Sequence, residues 1–147
     1  MLNAEMFDEE IKAAMKAREK TRLGVLRMVK AALMNRKIEK KDALTSDEIQ
    51  GILQGLVKQR EDSRDQFRKG GRPELADKEL AEVEILKAYL PEPLSDAELG
   101  SLIDAAIEST GAESLRDMGK VMNTIREQSQ GRADMGAAGA LVKARLS

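Results

Sequence analysis

Three segments carry residues whose types and spacing could do chemistry. Gly119-Lys120 is a glycine–lysine pair, and Gly131-Arg132-Ala133-Asp134 sets an arginine between a glycine and an acidic residue. Asp77, Glu79, Glu82 and Glu84 form a series of carboxylates. A phosphate-cradling Walker loop needs a Gly five residues before its Gly-Lys pair, a Ser or Thr after it, and a preceding strand. Position 114 is Ser and position 121 is Val, so that chemistry is excluded. Gly119 then has two readings. The plainer is close helix packing, which would offset the cost of about 1 kcal/mol that Gly carries in a helix relative to Ala. The functional one is that Gly119 lets a polymer backbone approach while Lys120 meets a phosphate.

Gly131 and Asp134 read as the stop of one helix and the cap of the next, an ordinary corner. Arg132 would point from it beside the free amides that open the last helix, and such amides attract anions. With Arg126, these residues make a candidate phosphate-contacting set: Gly119, Lys120, Arg126 and Arg132. Arg36, Lys37, Lys40 and Lys41 form a secondary basic surface, although cations at a helix end also complement the macrodipole. The carboxylate series is a poor cation site. A hard cation takes six to eight oxygens, yet Lys78 and Lys87 share the helix and no second carboxylate helix is evident. It reads as a solvated face with local ion pairs, from which Glu82 or Glu84 would pair with a partly buried Arg60. The eight Met residues read as core filler.

Composition excludes more. Cys and His are both absent, so thiol nucleophiles, disulfides, imidazole bases and thiolate or imidazole metal sites are impossible. No catalytic residue, cofactor or metal is expected. Phe7, Phe67 and Tyr89 are the only aromatics, too few for base-stacking platforms. The net charge is −1, but residues 1–41 carry 11 Lys/Arg against 6 Asp/Glu while the remainder is acidic. The acidic, amphipathic start lacks the apolar core of a signal peptide, and no run is long enough to span a bilayer. A cytoplasmic protein without membrane or DNA partners is the expectation.

The elements that position these residues are all helical. Ala, Leu, Glu, Lys, Arg and Met dominate, and no alternating apolar run matters. A first helix over about 3–18 would place Leu2, Met6, Ile11 and Met15 on one side. A second runs to about Lys41, with Leu26, Val29, Leu33 and Ala32 inward and a bend near Thr21 to Gly24. Thr45 and Glu48 have capping-box spacing, with Leu44 and Ile49 placed as a hydrophobic staple. That third helix continues to Gly70-Gly71. Pro73 opens a fourth, carrying Leu75, Leu80, Val83, Leu86 and Leu90 inward. Pro91-Glu92-Pro93 is the best boundary, dividing domains at 1–91 and 92–147. Ser95 and Glu98 repeat the capping box. Ser114 and Asp117 start a sixth helix around Leu115, Met118, Val121, Met122 and Ile125, and Asp134 caps a seventh using Leu141, Val142 and Leu146.

Taken in order, several segments resemble the YqeY family over essentially the whole chain. They are Leu26-Arg27-Met28, Lys58-Gln59-Arg60 with Ser63 and Phe67, Gly71-Arg72, Leu75-Ala76, Glu79 and Glu82, Ile85-Leu86, Tyr89-Leu90-Pro91, Asp117 to Met122, and Gly131 to Asp134. That family is similar to the C-terminal tail of GatB, a subunit of the glutamine-dependent amidotransferase acting on misacylated Glu-tRNA or Asp-tRNA. The resemblance implies an all-α fold, a helical N-terminal domain before a small three-helix domain. It also implies tRNA contact at Lys120 and Arg132, with Gly119 permitting approach. The expected function is a non-catalytic tRNA-interacting accessory module. The alternative is a protein–protein adaptor for an aminoacyl-tRNA synthetase or for amidotransferase subunits, marked by an exposed apolar patch between the domains. Less favoured is a carbon–nitrogen ligase component using glutamine, because the Ser–Ser–Lys amidase signature and an ATP loop are missing.

Overall fold

The computed structural model describes residues 2–147, and among them every regular element is helical. Contacts divide the chain into two compact units, Met1–Leu90 and Pro91–Ser147.

The first unit holds α1 (Ala4–Ala17), α2 (Lys20–Lys40), α3 (Ser46–Lys69) and α4 (Pro73–Lys87). Its core joins Phe7, Val25, Leu26, Val29, Leu33, Ile49, Leu53, Val83 and Leu86. The buried stripe of α1 is centred on Phe7 and Ala14, and of the expected series Leu2, Met6 and Ile11 pack against the core while Met15 does not. Met15, one residue on, lies about 100° around the helix and emerges 53% exposed. Met34 is equally exposed, so two of the methionines are not core filler. The first two helices break at Arg18, the expected end of the first, and not further on at Thr21 to Gly24: Arg18 takes φ 58°, ψ 35°, and its N–H donates to the Ala14 and Met15 carbonyls. Gly24 lies inside α2.

Local signals set the other starts. Thr45 Oγ1 accepts from Glu48 N at 3.1 Å, and Glu48 Oε1 accepts from Thr45 N at 3.0 Å. Gly71 takes φ 73°, which an L side chain resists, and Pro73 begins α4. Arg60 Nε lies 3.6 Å from Glu82 Oε2, and another of its nitrogens reaches Met28 Sδ. Of the two carboxylates considered for Arg60, Glu82 is thus the partner.

The second unit holds α5 (Asp96–Thr110), α6 (Met118–Ser129) and α7 (Met135–Leu146) around Ile103, Ala106, Val121, Ile125, Ala138 and Val142. Ser95 and Glu98 form the second capping box, both bonds at 3.1 Å. A single 3-10 turn, Leu115–Asp117, precedes α6. Leu115, expected inside, is therefore 47% exposed, and Leu141 is 40% exposed at the edge of the α7 stripe. Gly139 faces two methionines: a Cβ there would make ordinary van der Waals contact, 3.7 Å from Met122 Cε and 3.8 Å from Met118 Cε.

Candidate nucleic-acid interface

Gly119 and Lys120 occupy the first turn of α6, and both are exposed. A Cβ added at Gly119 would meet nothing within 4 Å. Close helix packing therefore does not explain this glycine, and the plainer of its two readings is overturned. The turn is fastened from below. Asp117 Oδ2 accepts from Glu113 N at 3.0 Å and from Ser114 N at 3.4 Å. Those backbone donors hold its carboxyl below the ordinary range, and the charges of Lys120 and Arg116 add to the shift.

Arg116 is an exposed cation that the sequence reading missed. It stands four residues before Lys120, and across a continuous helical path that spacing brings side chains together. The interposed 3-10 turn hid the relation, although the spacing itself was visible.

Arg126 sits in the last turn of α6, where Nη1 donates to Asn123 Oδ1 at 3.3 Å. Six residues separate it from Lys120, so the two lie about 9 Å apart along the axis and about a third of a turn around it. Arg132 lies in the α6–α7 corner behind Gln130 (φ 53°) and Gly131 (φ 78°), two successive left-handed residues. Its Nε donates to the Glu92 carbonyl at 2.7 Å, and its own carbonyl accepts from Leu94 N at 3.0 Å. The arginine thus fastens the proline-rich entry segment to the corner. Its guanidinium also rims a groove of about 450 Å³ over Leu94, Ala97, Ser101 and Leu102. Asp134 caps α7, accepting from Gly136 N at 2.9 Å and Ala137 N at 3.2 Å, so a carboxylate already occupies those amides. The four expected residues therefore form two groups, Gly119 and Lys120 at one end of α6, Arg126 and Arg132 toward the other.

Charge within this unit is sorted by element. Helix α5 carries Asp96, Glu98, Asp104 and Glu108 with no Lys or Arg, whereas residues 115–129 carry Arg116, Lys120 and Arg126 against Asp117 and Glu127. In the first unit the secondary basic surface is split. Lys40 Nζ binds Glu48 Oε1 and the Ala43 carbonyl, and Arg36 pairs with Glu39 at 3.5 Å. Lys37 and Lys41 remain exposed.

The class is thus an all-α chain of two units, the second presenting a helix that opens on an exposed Gly-Lys turn. The profile of the family described as Yqey-like protein matches residues 4–146, and the chain belongs to that family. Curated relatives named "Altered inheritance of mitochondria protein 41, mitochondrial" are similar to it. The Pyrenophora tritici-repentis protein is 28% identical over 84% of this chain and 69% of its own length. The Eremothecium gossypii protein is 34% identical over 61% of this chain and 50% of its own. The Lachancea thermotolerans protein is 27% identical over 85% and 71%. The chain thus spans between half and about 70% of these relatives. Their names place them in mitochondria, whereas a cytoplasmic protein was expected here. Among the described residues no helix is long and apolar enough to cross a membrane.

Proposed function

We propose that this protein is a non-catalytic accessory module that binds tRNA through its second unit, a three-helix unit similar to the GatB tail, with the start of α6 as the contact element. The observation that carries the reading is Gly119, a helical glycine with open space above it beside an exposed lysine. Packing does not require it, nor does it require Gly24, Gly51 or Gly55, but of these four helical glycines Gly119 alone adjoins a lysine, and the space above it admits a sugar–phosphate backbone. Lys120 supplies the charge for phosphate contact, Arg116 adds a second cation, and Arg126 extends the track along α6. With three aromatics in the chain, two of them in contact with each other inside the first unit, recognition rests on shape and backbone.

The test is a titration of labelled bulk tRNA at about 50 and 200 mM salt, where contacts to several phosphates weaken binding steeply. Lys120→Glu should lower affinity with the fold intact, and Lys120→Gln should reduce the salt slope by about one. Arg132→Glu is the less clean variant, because Arg132 also anchors Glu92. Unchanged affinity in Lys120→Glu and Arg126→Glu would remove the site, and absence of salt-sensitive binding would remove the function.

A further inference from the structure

The corner between α1 and α2 and the outer side of α2 concentrate positive charge. Residues 12–30 hold seven Lys and Arg against one acidic residue, whereas the rest of the chain holds 18 against 25. Carboxylates of α1 and the corner meet three of the seven. Glu9 lies 3.7 Å from Lys12, Asp8 2.7 Å from Lys30, and Glu10 and Glu19 3.2 and 3.8 Å from Arg22. Seven cations against these four carboxylates leave an excess of three positive charges. It lies with Lys16, Arg18, Lys20 and Arg27, which are all exposed and, among the described residues, have no ion pair.

At about 100° per residue, Lys20, Gly24, Arg27 and Ala31 share one side of α2, within about 60° of one another. That side is opposite the buried stripe of Val25, Leu26, Val29 and Leu33, and each of its four residues is exposed. Lys20 and Arg27 stand about 10 Å apart along the axis, with Gly24 between them. A Cβ at Gly24 would meet nothing within 4 Å. Packing therefore does not account for a residue that costs a helix about 1 kcal/mol relative to Ala.

We propose that this face grips the sugar–phosphate backbone of double-helical RNA, with Lys20 and Arg27 each meeting a phosphate and Gly24 letting the backbone approach between them. Lys16 and Arg18 add charge at the corner. The choice of RNA rests on the tRNA-binding reading, but the location does not, because every residue here belongs to the first unit. A single strand is held by aromatic stacking, and this face has no ring. A protein interface has a core depleted of charge and filled by large side chains, whereas the centre here is a glycine between two cations. A bilayer takes up the apolar side of a basic helix, and that side of α2 lies in the core. A second copy in two-fold pairing would set these cations against their own equivalents.

The experiment titrates the full chain with a generic RNA duplex at about 50 and 200 mM salt, where each phosphate contact adds about one to the salt slope. Lys20→Gln/Arg27→Gln should reduce the slope by about two and the affinity at the lower salt about tenfold. Gly24→Gln removes no charge and meets no atom of the fold, so it should weaken binding severalfold with the slope unchanged. Lys37→Gln/Lys41→Gln, the same loss of charge at the far end of α2, should stay within about twofold. Unchanged circular dichroism shows each variant folded.

Equal losses in the two double variants would show a response to net charge alone and overturn the proposal, as would native affinity in Gly24→Gln. Tighter binding to a DNA duplex, a single strand or anionic vesicles would overturn it too, as would self-association that salt disperses. If Lys120→Glu loses affinity for tRNA while Lys20→Gln/Arg27→Gln binds RNA like the native chain, this contact fails and the second-unit site stands. The converse result removes that site and leaves this one. Absence of salt-sensitive binding to either RNA removes both.

Discussion

Glu48 holds the start of α3 in two ways, closing the capping box with Thr45 and receiving Lys40 from the end of α2. The Lys40 ammonium, followed by the Thr45 amide, pulls its carboxyl down to about 2 from an ordinary 4.5. A depressed carboxylate contributes stability that is fully present above the unfolded value and lost as pH falls through the folded one. The window here runs from about 4.5 down to about 2. Thermal midpoints of the native chain should therefore fall through that window more steeply than those of Glu48→Gln, the two curves converging near its acid end. Parallel curves would show that Glu48 is not held as described. In the second unit, Ser95's backbone amide lowers Glu98, and the Glu113 and Ser114 amides lower Asp117. These groups lose their contributions in the same direction, as acid is added. The capping partners were legible in the sequence because cap and N3 residue lie three apart. Lys40 was not legible as Glu48's partner, because only the turn from α2 into α3 brings them together.

At the scale of the element, α6 sets stability against use. Gly119→Ala meets no atom and removes a conformational cost, so it should stabilise the second unit by about 0.5–1 kcal/mol. If RNA approaches over that turn, the same methyl should weaken tRNA binding. Equilibrium unfolding and the titration together test this, and a gain in both would refute the proposed contact. Helix existence and most boundaries were readable from periodicity, capping residues, glycines and prolines. The misplacements have a common cause. Met15, Leu115 and Leu141 sit at the margins of apolar stripes or in a 3-10 turn, and a stripe about 100° wide does not tell its edge from its centre. Arg18 and Gln130 end helices in the left-handed conformation. Neither is a glycine, yet both ends were placed within a residue or two, at about position 18 and at Gly131, which follows Gln130 in the same conformation. The two readings of Gly119 needed three-dimensional neighbours to separate them.

For the whole molecule, the division into two units makes destabilisation separable. Leu53 and Ile125 are both fully buried, one in each core. Truncating either to Ala should cost about 2–5 kcal/mol. The smaller second unit has less margin to absorb such a loss, because small domains bury a lesser fraction of their surface. Hydrogen exchange on Ile125→Ala should accelerate across α5–α7 and spare the amides of α1–α4, with Leu53→Ala giving the converse. Loss of protection in both units from either substitution would show that they unfold as one.

The α1–α2 corner has a consequence for how the chain could be cut. Arg18 and Glu19 are exposed and end one helix without being covered by another element. Beyond the corner, α1 places Phe7 at zero exposure, with Leu2, Met6 and Ile11 packed beside it. A break at this corner would remove the covalent tether but none of that burial, so the leading peptide and the remainder have the makings of a complementing split pair.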